Sequence, residues 1–332
     1  MSAKLYLPTD AFSDQKNDPD LAADYLELKA FFSSERQAFT QDVTDALELA
    51  AEEDYDTVEQ ELETRGEAAT VAVARIVERT RVLGDAYPFS IDDSGDVLTF
   101  KDGDISVGQA SYLLSLVLSH LKSVSEVLRD PSLQPTEPET VLLRNYFQYF
   151  ATAALAAEIG GPAWSFGHPR PNGTGFFVKL REIWSVFRDG TVNPDPSAPD
   201  KPKDDQVDVF AWRQQRDGLP GFLLAVAQVA TGKGWKGKSV KAQAAGIFQS
   251  RWFQPPPVTV FVPYHIIPFA RPDRDFRDDV RVLGNVLHRI RVPYRVSEAE
   301  NLVANGINVE AFDQLPGVIA WLREYQQRGV AA

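Results

Sequence analysis

The chain of 332 residues contains no cysteine. Disulfides, zinc–thiolate centres and cysteine nucleophiles are therefore excluded. Histidine is scarce as well: only His120, His168, His265 and His288 occur. None stands at a ligand-pair spacing such as H-E-x-x-H, so a histidine-rich metal centre is not expected. No apolar run approaches the roughly 18 residues that a membrane-spanning helix requires. The first twenty residues, MSAKLYLPTDAFSDQKNDPD, lack the apolar core of a signal peptide, so a cytoplasmic location is expected. A G-x-S-x-G elbow is also missing. Its absence sets aside a serine-hydrolase reading.

Charge is present but unevenly spread. Residues 1–140 carry 11 Lys+Arg against 29 Asp+Glu, and residues 141–332 carry 23 against 18. An acidic half that repels nucleic acid and a mildly basic half that tolerates it suggest two parts with different partners. The proline-rich stretch Asp130–Glu139 (DPSLQPTEPE) marks a boundary between them. Residues 1–139 then form an acidic, mainly helical domain, and residues 140–332 a second domain.

In the first part, residues 1–20 hold no apolar period and read as a poorly ordered lead. Helical spacing of apolar residues predicts helices over Leu21–Phe32, Ala38–Leu62, Glu67–Leu83 and Ser106–Leu128, with a small hairpin at Tyr87–Lys101. In the second part, Thr140–Ile159 is apolar enough for a buried helix. Phe176–Phe187 reads as an amphipathic helix carrying Glu182, and Ser239–Phe253 as a further helix. Val258–Val262 (VTVFV) reads as a buried strand, and Val286–Val292 as an edge strand in competition with a helix over Phe276–Ile290. Helices at Ser297–Ala304 and Leu315–Gln327 close the chain.

The stretch Asp204–Lys241 is the most informative. Two apolar segments, Val207–Trp212 and Phe222–Ala230, flank a polar turn with Gly218, Pro220 and Gly221. This pattern predicts a hairpin with a long loop. Asp208 interrupts the first segment and Gln228 the second; a polar group inside a strand built for burial is costly unless it has a partner. Lys233, Lys236, Lys238 and Lys241 follow at once. An acid, an amide oxygen and then lysines is a layout suited to metal-assisted phosphodiester chemistry.

From Phe176 onward the order is helix, strand with Asp208, strand with Gln228, helix, strand. It resembles the core of the PD-(D/E)xK, or restriction-endonuclease-like, superfamily. The texts VDVFAW at 207–212 and QVATGK at 228–233, followed by Trp235, look like a subgroup of large bacterial proteins, several of them associated with phage defence. The resemblance covers roughly residues 160–295. It implies an α/β (α+β) fold with a central mixed sheet flanked by helices, joined to the N-terminal helical part. It also implies a Mg²⁺ (or Mn²⁺) ion held by Asp208, Gln228 and Glu182, with Lys233 or Lys236 stabilising charge on the scissile phosphate. The family's lysine position, two residues after Gln228, is Ala230 in this chain. The expected activity is metal-dependent endonuclease cleavage of DNA by an effector subunit of a phage-defence system. The alternative is a catalytically inactive nuclease-like fold serving as a DNA-binding or scaffold subunit for a partner ATPase or helicase. Either way, DNA and a partner protein subunit of a defence complex are the expected partners.

Overall fold

A computed structural model describes residues 5–8, 18–52, 59–125, 127–271 and 273–331. Most of the lead at residues 1–20 lies outside the described residues. The part that is described departs from the expectation: Leu7 is buried, and the Tyr6 amide donates to the Val127 carbonyl at 3.0 Å.

The first helix, α1 (Pro19–Phe32), starts where the Asp18 carboxylate accepts from the Asp20 amide, with proline in its first turn. The segment predicted as one helix over Ala38–Leu62 divides. It gives strand β1 (Gln37–Phe39), helix α2 (Gln41–Glu52) and the start of α3 (Glu59–Leu83). The small hairpin is present as β2 (Phe89–Ile91) and β3 (Val97–Phe100), and β1 joins it in a three-stranded antiparallel sheet of order β1-β3-β2. Helix α4 (Val107–Ser119) opens with a Ser106–Gln109 capping box and stops well short of Leu128. The reason lies in His120, whose ring nitrogens meet Asp24 Oδ2 at 2.8 Å and Ser125 Oγ at 3.0 Å. Helix α5 (Glu137–Ile159) has a Thr136–Glu139 capping box and ends on Gly160, which takes the left-handed conformation (φ 71°) that suits glycine.

The larger sheet has the order β4-β5-β6-β7-β8. Its strands are β4 (Ala163–Ser165), β5 (Val209–Arg213), β6 (Leu223–Val229), β7 (Phe261–Ile266) and β8 (Asn285–Leu287). The first three pair antiparallel; β7 and β8 pair parallel. Helix α6 (Phe176–Trp184) lies between β4 and β5 in the chain. The crossover from β6 to β7 runs through α7 (Val240–Gln243), a π-helical turn at Ala244–Phe248, and α8 (Gln249–Trp252). Helices α9 (Asp273–Leu283), α10 (Val292–Ala304) and α11 (Pro316–Ala331) complete the chain.

The hairpin read from the sequence is therefore present. The strand read at Val258–Val262 is displaced: β7 begins at Phe261, and Val258 and Val260 are 76% and 78% exposed. The Asp189 carboxylate accepts from the Val258 and Thr259 amides at 2.8 and 2.9 Å, and so holds that stretch as a loop. Where an edge strand and a helix competed, both occur in sequence, α9 and then the short β8.

Alternation in the sheet sends Val209, Ala211, Ala225 and Ala227 to one face, where α5 packs. Phe210, Trp212, Leu224 and Val226 face the other side with Phe176, Phe248 and Trp252. The first of these apolar clusters extends from Leu7 to Tyr325 and draws on both sides of residue 139. It is closed by α11, whose buried Tyr325 meets Phe32 edge-on at 5.2 Å; Gly329 packs so tightly on Phe32 that no Cβ would fit.

Candidate metal and phosphodiester site

Antiparallel pairing of Val209 with Ala227 sets Asp208 opposite Gln228, and the Asp208 amide donates to the Ala227 carbonyl at 2.7 Å. Residues directly opposite each other share a sheet face. Parallel pairing of β6 with β7 then sets His265 beside Gln228. Asp208, Gln228 and His265 thus form a row across three strands. They lie on the face of Phe210 and Val226, next to a small apolar cluster of Ala230, Trp235, Ile267, Leu283 and Val286.

All three side chains are buried. Asp208 Oδ2 accepts from the Val229 amide at 2.7 Å and from the Gln228 carboxamide. Its backbone carbonyl accepts from the Phe166 and Gly167 amides at 2.6 and 2.9 Å. Gly167 also shapes the site: a Cβ there would lie 2.5 Å from Asp208 Oδ1 and 2.5 Å from Gln148 Oε1. Both oxygens therefore converge on the glycine Cα. Gln148 comes from α5 and is fixed by donating to Ser165 Oγ at 2.5 Å. The carboxamide oxygen of Gln228 and both ring nitrogens of His265 are buried without a hydrogen-bond partner among the described residues.

Burial pushes the Asp208 carboxyl up to about 7, and Asp204 adds to the rise; the Val229 amide and the Lys238 ammonium oppose it. Burial takes His265 down to about 4, so its imidazole is neutral near pH 7. Trp235 walls the ring at 5.8 Å between centroids.

The predicted site residues divide. Asp208 and Gln228 stand side by side. Glu182 does not join them: it sits on α6 with its side chain 44% exposed, 3.4 Å from Lys179, which also pairs with Glu310. Its helix carries it outward because Phe176, Leu180 and Ile183 claim the inward face. The helix position beside Asp208 is taken by Gln148 of α5. Lys233 is exposed, and Lys236 leans over Trp235 with its ammonium 3.6 Å from Asp279. The lysine whose charge acts on both Asp208 and His265 is Lys238. Ala230, at the family's lysine position, packs into the small apolar cluster.

Among the described residues no group of three or more His, Asp and Glu side chains is placed to hold a metal ion. The oxygens brought together at Gly167 are one from the Asp208 carboxylate and one from the Gln148 carboxamide, while Gln228 turns its NH2 group to Asp208. These two oxygens suit a hard divalent cation in donor type, since such ions take oxygen from carboxylate and amide alike. The orphaned Gln228 oxygen is a buried acceptor in want of a positive partner. A single negative charge binds such an ion weakly unless phosphate oxygens complete the shell. Sequence reasoning missed Gln148 because it stands among the aromatic and apolar residues of the buried half of α5, and missed His265 because its strand was read three residues early. Among the described residues no helix is long and apolar enough to cross a membrane. The chain matches no protein family model, no curated protein and no solved structure.

Proposed function

We propose that the chain is a metal-dependent nuclease-like protein acting on DNA phosphodiesters, with its site at Asp208, Gln228 and Gln148. The observation that carries this reading is the convergence of Asp208 and Gln228 on one face of the sheet, with the Gln228 oxygen unpartnered. The strand order adds support: three antiparallel strands, a helical crossover and a parallel fourth agree with a restriction-endonuclease-like core. The phage-defence setting, and a partner subunit there, rest on the resemblance in residues 207–235 alone.

In this reading Asp208, Gln228 and Gln148 hold Mg²⁺ or Mn²⁺ through their side-chain oxygens. The bound ion would polarise the phosphate and lower the pKa of water. Ionised Asp208 supplies the only negative charge of the set. Lys238, whose charge is felt at Asp208, would offset the charge that builds on the phosphoryl oxygens as water adds to phosphorus and the ester P–O bond breaks. Incubating supercoiled plasmid with the protein and Mg²⁺ or Mn²⁺, beside Asp208→Asn, tests the reading. Cleavage lost in the variant supports it; equal cutting by both proteins rejects the site.

Two observations favour the non-catalytic alternative. The Gln228 carboxamide already donates to Asp208, and Ala230 replaces the lysine. On that reading the pair is a closed structural contact, and the fold binds DNA or a partner ATPase or helicase. Salt-dependent DNA retention without cleavage, unchanged in Asp208→Asn, would favour it.

A further inference from the structure

A second polar cavity, of about 220 Å³, lies where α3 meets the segments that follow β7 and β8. Its cationic wall is Arg75 from α3, Arg271 from the loop before α9, and Arg291 at the start of α10. The same segments also contribute apolar lining, with Val82, Ala270, Ile290 and Tyr294. Asp20, Glu78 and the buried Arg79 also line it.

The charges in this cavity are not equally spent. Arg79 is fully enclosed by Asp20, Asp24 and Glu27, at 2.7 to 2.8 Å, and is committed to them. Arg75 pairs with Glu78 at 2.6 Å at the half-exposed rim. Arg271 pairs with Asp279 at 2.7 Å and more loosely with Asp275 at 3.3 Å. Arg291 has no carboxylate partner among the described residues. Its guanidinium donates to the Val286 carbonyl at 3.1 Å and lies over the Phe276 ring at 4.5 Å. A guanidinium held in place by a carbonyl and an aromatic face keeps donors free for an incoming anion.

His288 supplies an independent sign of a ligand. It lines the same cavity, is more than nine-tenths buried, and its Nδ1 has no hydrogen-bond partner among the described residues. A buried ring nitrogen left unmatched costs stability unless something else meets it. The ring stays neutral near pH 7, because burial and then Arg291 hold its pKa down to about 3. It can therefore donate one hydrogen bond to an oxygen without bringing charge.

We propose that this cavity binds a small phosphate-bearing anion. Arg291 and Arg271 would grip the phosphoryl oxygens, His288 would donate a further hydrogen bond, and the Tyr294–Ile290 wall would take an apolar or aromatic body. Guanidinium groups match phosphate in geometry as well as charge, which makes arginine the residue suited to such a site. The volume fits an anion between pyrophosphate and a mononucleotide in size. This proposal does not depend on the nuclease reading: the cavity lies outside the Asp208 row, and its test needs no cleavage.

Isothermal titration of the full chain with pyrophosphate and, separately, with AMP tests it. The expected result is saturable binding of at least one probe, weakened about tenfold or more in Arg291→Gln, the loss expected for one charge-assisted hydrogen bond. Should Arg291→Gln fold poorly, Val82→Glu serves. It sets a carboxylate at a partly exposed rim position of a helix and is expected to weaken the same probe to a similar degree. Binding of AMP but not pyrophosphate assigns the apolar wall a role, and the reverse outcome assigns the phosphate grip alone. No heat from either probe at millimolar concentration overturns the proposal, as does binding that neither variant alters.

Discussion

Arg289 and Asp24, 265 positions apart in sequence, are joined in the interior: one guanidinium nitrogen donates to both carboxylate oxygens, at 2.6 and 2.7 Å. Arg79 reaches the same carboxylate at 2.8 Å and Glu27 at 2.7 Å, and Tyr87 and Tyr112 donate to Glu27. Burial opposes ionisation of Asp24, yet Arg289, Arg79 and His120 hold its carboxyl well below the ordinary range. Charge is enclosed here only because it is matched. Arg289→Met leaves acids buried and short of a partner, and is expected to cost about 3–5 kcal/mol. Urea unfolding at pH 7 measures it; a loss below about 1 kcal/mol, no more than an exposed pair contributes, would show that the network tolerates the gap.

Asp208 carries the opposite sign of pH dependence. Its pKa rises from 3.8 to about 7 on folding. The folded state therefore holds a proton that the unfolded state gives up. That stability is complete below pH 3.8 and is lost as pH rises through 7. Asp208→Asn keeps an acceptor for the Val229 amide and has no charge to bury. At pH 8, without divalent cations, the variant is expected to be the more stable protein, by up to about 4 kcal/mol for a rise from 3.8 to about 7. The difference should vanish near pH 4. Added Mg²⁺ should stabilise the native chain at pH 8 and leave the variant unmoved. Identical melting of the two proteins across this range would contradict the burial of an ionisable Asp208.

Three lysines compete for the phosphate role. Lys238→Ala is expected to lower plasmid cleavage about 10²-fold, the usual loss on removing one positioned charge from a reacting centre. Lys233→Ala and Lys236→Ala should cut at nearly the native rate, because neither lysine's charge acts on Asp208. A gel time course under single-turnover conditions separates the three. A large loss in Lys236→Ala with none in Lys238→Ala would reverse the assignment.

Gly167 is a steric gate on the oxygen cluster. A methyl group there collides with Asp208 Oδ1 and Gln148 Oε1, both at 2.5 Å. Gly167→Ala is expected to cost about 1–3 kcal/mol through overpacking. It should also abolish any Mg²⁺-induced rise in melting temperature. Retention of that rise would show that the cation, if bound, sits away from these oxygens.

His265 and His288 predict an acid-side loss. Burial depresses both, to about 4 and about 3, against 6.5 for a free imidazole. Their contribution is present above pH 6.5 and fades as pH falls toward those values. Replacing His288 by Gln should flatten the fall in unfolding free energy between pH 6.5 and 4. An unchanged slope would mean that His288 is already solvated.

Local patterns were readable where a segment decides its own fate. The two apolar runs interrupted by Asp208 and Gln228 gave the hairpin and the pairing of those two side chains, because side-chain alternation is local. Caps at Ser106 and Thr136 obey the same logic. Long-range choices were not readable. His120 ends α4 because Asp24 waits 96 positions away, and Asp189 pulls Val258 and Thr259 out of a strand their side chains favour. Glu182 was misplaced since nothing on its own helix announces that Gln148, from α5, already holds the place beside Asp208. The Lys238 assignment had the same difficulty: a loop lysine's neighbours are set by where the crossover returns.

The packing of α11 against α1 bears on how the chain is made. Phe31 and Phe32 belong to the first helix, yet the ring that covers them, Tyr325, is translated far later in the chain. Until then the N-terminal helices display an aromatic surface that chaperones can engage. A fragment stopped at residue 139 keeps that surface bare, and self-association is its expected fate.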